Sequence, residues 1–101
     1  MNEAELNQIS MTMIAKAGHA KNIINEILID LENHRLTEAK LSEKLAEAHQ
    51  ELTMAHKEQN KVIALSDRIT YSLLFTHAQD TLMNTEELLF ITKHLVKLIP
   101  K

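Results

Sequence analysis

Apolar residues recur along most of this chain in alternating steps of three and four, the spacing that stacks side chains on one face of an α-helix. Over residues 2–33, Leu6, Ile9, Met13, Ala17, Ala20, Ile24, Ile27 and Leu31 form such a stripe. Ile14, Ile23 and Leu28 widen it, as packing on two neighbours requires. Asn33 is suited to a left-handed cap at its end. A second helix is expected from the N-cap Thr37 to near Leu65, with the stripe Leu41, Leu45, Ala48, Leu52, Ala55, Gln59 and Val62. The positions between are strongly charged, which gives that helix a solvated face. A turn is expected at 66–70 and a third helix over 71–98, with Thr70 or Ser72 near its cap and Pro100 as its stop.

The third stripe is irregular. Leu74, His77, Thr81, Asn84, Leu88, Ile91, Leu95 and Leu98 share a face, yet three consecutive members are polar. A core position given to a polar group loses burial and needs a hydrogen-bond partner. Such a breach of the local pattern marks His77 and its neighbours as a candidate site. In the first helix Gly18, the only glycine, sits mid-helix, where it costs about 1 kcal/mol relative to alanine. Its expected purpose is close approach of another backbone, or room for a ligand or a partner's group.

Two short connections make the architecture all-α, an antiparallel up-down-up three-helix protomer. With 101 residues, the chain is one expected domain over 1–101. Tyr71, Phe75 and Phe90 are the only aromatics. A bundle with so few large side chains is a marginal monomer, and burial between copies is the natural supplement. Net charge is −3 with the signs interspersed, which gives no support to nucleic-acid binding. No apolar run approaches the roughly 20 residues of a membrane span. The acidic, polar start Met1-Asn2-Glu3-Ala4-Glu5 does not suit a secretory signal. The chain has no cysteine, which excludes disulfides and thiolate metal sites and fits a cytoplasmic location.

His77 and Asp80 stand at i and i+3 and can share a face. A neutral imidazole is a nucleophile near physiological pH, so His77 is a candidate phosphoryl acceptor. Asp80 could bind a cation or fix the imidazole tautomer, and the plain alternative is a half-buried histidine bonded to a carboxylate. Gln79, two residues on, points nearly the opposite way, toward another helix or another subunit. His49 and His56 share a face of helix two as boundary residues, and His19 is placed to approach a neighbouring helix. His34 and His94 lie near helix ends. A zinc-protease histidine pair, a glycine-rich phosphate loop and a hydrolase-like serine setting are all absent.

His77-Ala78-Gln79-Asp80, followed by Leu82-Met83 within a third helix, resembles the IIA component of the bacterial lactose/cellobiose/chitobiose phosphotransferase system. Ala17-Gly18-His19-Ala20-Lys21 is similar to that family's small-residue stretch, and Ala55-His56-Lys57-Glu58-Gln59 to its Ala-His-x-x-Gln element. The three segments fall in the family's order across essentially the whole chain. The resemblance implies a homotrimeric nine-helix bundle in which His77 accepts a phosphoryl group from the carrier HPr and passes it to a cognate IIB protein. It implies uptake of a β-linked disaccharide (cellobiose, chitobiose or lactose), with the membrane reached only indirectly through IIC. Asp80 matches the aspartate that meets its two copies around an axial divalent cation, usually magnesium. Gln79 would help form a pocket between subunits.

Two positions depart from or bear on that pattern. Thr81 stands where family members often carry a second histidine, and a threonine hydroxyl can donate a hydrogen bond but cannot act as an acid at neutral pH. Ala78, where lactose-type members tend to carry glycine, inclines toward cellobiose or chitobiose. Two other readings stay open at this point: a trimeric scaffold or regulator phosphorylated on His77 without transport, and a coiled-coil interaction protein whose polar layer sets register. A two-component phosphotransfer domain shares the chemistry, but the lysine and glycine it pairs with its histidine are not adjacent here.

Overall fold

The computed structural model describes residues 1–65 and 72–98, which fold as three α-helices: α1 Glu3–Glu32, α2 Glu38–Ile63 and α3 Leu73–Lys97. The expected turn at 66–70, Tyr71 and the Pro100 stop lie outside the described residues. Each helix starts on a polar cap. The side chains of Asn2, Thr37 and Ser72 accept from the backbone N–H of Glu5, Lys40 and Phe75 at 2.8, 3.1 and 3.1 Å. A cap of this kind satisfies one of the donors a helix leaves unpaired at its start.

The end of α1 corrects one expectation. His34, not Asn33, is left-handed, with φ 56°, whereas Asn33 sits at φ −96°. The N–H of His34 bonds the Leu31 carbonyl at 3.2 Å and that of Arg35 bonds Asp30 at 2.8 Å. These two bonds are the Schellman closure, in which the left-handed residue follows the cap. The Asn33 amide instead reaches back to the Ile29 carbonyl.

Helix α1 is the centre of the bundle. Leu6, Ile9, Met13, Ala17, Ala20, Ile24 and Ile27 are buried as the stripe predicted, together with Ile23, and Leu31 is half-buried. In α2, Ala48, Leu52, Ala55, Gln59 and Val62 are buried, and Leu41 and Leu45 half-buried. Polar contacts tie these two helices along their edge: Glu51 meets His19 at 3.1 Å and Lys16 at 3.7 Å, and Lys44 meets Glu26 at 3.1 Å and Asp30 at 3.6 Å. His19 thus does approach a neighbouring helix.

Helix α3 turns a different face inward from the one expected. Ala78, Leu82, Thr85, Leu89 and Thr92 are buried. The stripe of His77, Asn84, Ile91, Leu95 and Leu98 is exposed, and Leu74, Thr81 and Leu88 are half-buried. The helix is rotated by about one residue, roughly 100°. The core face of α3 alternates small Ala78, Thr85 and Thr92 with the larger Leu82 and Leu89. Leu73, Met83, Phe90, Ile91 and Leu95 are left outside.

The protomer is a rod of 51 × 18 × 18 Å with a radius of gyration of 15.8 Å, against about 13 Å for a compact domain of this length. Its accessible surface is 6797 Å², compared with about 5800 Å² for a globular monomer of this mass. Six of the ten exposed large apolar side chains among the described residues are Leu73, Met83, Phe90, Ile91, Leu95 and Leu98, all on α3 or its C-cap. No helix among the described residues is long and apolar enough to cross a membrane.

Candidate functional site

His77 is exposed in the second turn of α3. The turn below it is fixed by Ser72, whose hydroxyl caps Phe75 and whose carbonyl accepts from both the N–H and the hydroxyl of Thr76 at 3.0 Å. Leu73, one turn before His77 on the same flank, is 71 % exposed. The imidazole therefore stands beside exposed Leu73, one turn past the start of α3. It does not lie in the oily interior of the protomer.

Asp80 is exposed as well, and no ion pair joins it to His77. The half-buried, carboxylate-bonded histidine is thereby set aside. Thr81 is oriented inward on its own helix: its hydroxyl donates to the His77 carbonyl at 3.0 Å. Thr85 continues the same habit, donating to the Thr81 carbonyl at 2.7 Å. The hydroxyl that replaces a second imidazole is thus engaged with the main chain directly beneath His77.

The expected divalent cation is corrected. Among the described residues no group of three His, Cys, Asp or Glu side chains gathers to hold a metal ion. A hard cation such as magnesium needs several oxygen ligands, and Asp80 supplies one isolated carboxylate.

Gln79 is half-buried on the opposite flank of α3. Seven residues later on that flank, Glu86 pairs with His56 of α2 at 3.6 Å. An open groove of about 530 Å³ runs there between α2 and α3, lined among others by His49, His56, Glu86, Phe90 and Lys93. His77 does not line it. The groove was foreshadowed in the sequence only by the His49–His56 spacing. His34 and His94 are exposed near helix ends, and His94 makes an edge contact with the Phe90 ring at 4.8 Å.

Residues 8–100 match the family model described as the lactose/cellobiose-specific IIA subunit of the PTS system. The chain belongs to this IIA family. It is 31 % identical to the PTS system lactose-specific EIIA component of Staphylococcus epidermidis, over all of this chain and 98 % of that protein. It is also 31 % identical to the lactose-specific EIIA component of Lactococcus lactis, over 97 % of this chain and 94 % of the relative. The lichenan-specific phosphotransferase enzyme IIA component of Bacillus subtilis shows 31 % identity over all of this chain and 92 % of its own length. As a IIA chain, the protein takes part in sugar phosphotransfer. Relatives named for different sugars stand at equal identity, so similarity at this level does not select one. Ala78 does not select one either, because it is fully buried in the core, where packing governs its size.

Proposed function

We propose that this chain, as a single IIA domain over residues 1–101, accepts a phosphoryl group on His77 from phospho-HPr and passes it to a cognate IIB protein during uptake of a β-linked disaccharide. The observation that supports this most is the setting of His77: an exposed imidazole beside exposed Leu73 on a capped helix of a IIA family member. A residue that meets two partners in turn needs that access. A neutral ring nitrogen of His77 attacks the phosphorus in line. The bond to the HPr imidazole breaks, and that ring leaves with the electron pair. The second transfer repeats the exchange toward IIB. Little covalent assistance is required, so positioning and charge stabilisation supply most of the rate.

The protein works as a homotrimer in this reading. The elongated protomer, its large accessible surface and the apolar outer face of α3 support burial against further copies. Gln79 stands on the flank away from its own His77 and would complete the pocket of a neighbouring copy. Transfer tests the proposal. The chain is incubated with phosphoenolpyruvate, enzyme I and HPr, then with IIB, using the native protein, His77→Ala and Gln79→Ala. Native chain should carry label to IIB, His77→Ala should carry none, and Gln79→Ala should carry it more slowly. Phosphorylation of the native chain with no onward transfer to any IIB would favour a regulator instead.

A further inference from the structure

Gly18 is unexplained inside the protomer. A Cβ placed on it would meet no atom within 4 Å, so the close backbone approach expected of a mid-helix glycine does not occur within this fold. The residue is half-buried on the flank of α1 turned away from the α2-facing Lys16, His19, Glu26 and Asp30. Exposed Met11, one helical repeat earlier, and exposed Ile29 lie on the same flank. The result is a shallow notch with Met11 at one end and exposed Asn22 and Asn25 between it and Ile29.

Phe90 poses the opposite problem. It is a large ring, 60 % exposed, on the flank of α3 that lines the groove toward α2. The polar contacts give the relative heights of the helices. Glu51 of α2 is level with Lys16 and His19 of α1. Five residues farther along antiparallel α2, His56 is level with about Met13. Glu86 of α3 pairs with His56, and α3 runs parallel to α1, so four residues on Phe90 is level with about Ala17, the residue before Gly18. Ring and notch stand at the same height on opposite flanks of one protomer.

We propose that Phe90 of one copy seats against Gly18 of the next, joining copies head to tail around an axis parallel to the bundle. The inference rests on the trimeric reading above and specifies its contact. The occupant is a second copy because rotation about such an axis preserves height, and only this chain is bound to offer a ring at the height of its own notch. A two-fold pairing would set like flank against like flank and leave both features unmatched. A closed ring uses every Phe90 and every Gly18. The same rotation brings the flank of Gln79 toward the flank of a neighbour's His77.

The test is sedimentation of four full-length proteins: native, Gly18→Leu, Phe90→Ala and the double variant, with helix content checked by circular dichroism. Leucine is a good helix former and its Cβ meets nothing within the protomer, so helix content should hold. Each single variant should weaken assembly at least about tenfold, as loss of a seated interface aromatic does. The double variant should recover most of that loss, because the leucine occupies space the ring vacated. Single variants that assemble like the native chain would overturn the seat, as would a double variant no tighter than the worse single, while native trimers would leave the trimeric reading standing. A monomeric native chain would overturn both.

Discussion

Thr92 offers a single-group test of the packing in α3. Its side chain is 1 % exposed, and its Oγ1 is the one buried side-chain polar atom among the described residues that lacks a hydrogen-bond partner. Thr76, Thr81 and Thr85 differ, since each donates to the carbonyl four residues earlier. A buried hydroxyl left unpaired costs about 1–3 kcal/mol in lost hydration. Thr92→Val replaces it with a methyl group and keeps the β-branch that restricts χ1. Valine also matches the apolar wall of the core. Part of the desolvation cost should be returned, for a net gain of about 1 kcal/mol, or about 4–8 °C in melting temperature for a domain of this size. Thr85→Val is the control. It deletes a 2.7 Å bond and should lower stability by about 0.5–1.5 kcal/mol. Both are read from calorimetric melts at one fixed chain concentration, because self-association makes the midpoint concentration-dependent. A Thr92→Val protein that melts below the native chain would refute the reasoning. It would mean that the hydroxyl is satisfied, by a buried water or a different rotamer.

Other outcomes follow from the same contacts. Met13→Ala empties a fully buried position on the central helix and should lose about 2–5 kcal/mol in urea unfolding. Ser72→Ala removes the cap of α3 and should cost about 0.5–2 kcal/mol, with faster amide exchange confined to the first turn below His77. Lys44 is held above its ordinary pKa, first by its hydrogen bond to Glu26, then by the charges of Glu26 and Asp30, which outweigh its partial desolvation. A raised folded-state pKa stabilises the fold below the unfolded lysine value, about 10.4, and that contribution fades as pH rises through the folded value. Lys44→Met should therefore flatten the alkaline end of the stability profile, as measured by urea midpoints across pH.

Helices α1 and α2 were legible because each carries one apolar face. Between Leu6 and Ile27, and between Ala48 and Val62, the residues that repeat by three and four are the ones the bundle buries. Helix α3 has two such faces. Hydrophobic size singled out the face of Leu88, Ile91 and Leu95, while the core took Leu82 and Leu89 together with the smaller Ala78, Thr85 and Thr92, which a search for large apolar residues passes over. His77 consequently emerged as a candidate for a reason the fold does not support: it breaches an exposed stripe, not a buried one. The direction of Gln79 was readable, since a separation of two residues fixes opposite flanks on any helix. The left-handed end of α1 fell one residue later than asparagine suggested, because the hydrogen bonds of Arg35 and His34 decide the closure. The axial cation came from the resemblance alone and has no gathered ligand set to rest on.

One imidazole among six histidines is proposed to carry the phosphoryl group. After phosphorylation by phosphoenolpyruvate, enzyme I and HPr, the native chain should be fragmented at neutral to basic pH under conditions that keep phosphohistidine intact, and the phosphate located by mass. An acid-labile phosphate is expected on His77 alone. Phosphate on His19, His49 or His56, or a native chain that takes up none, would contradict it.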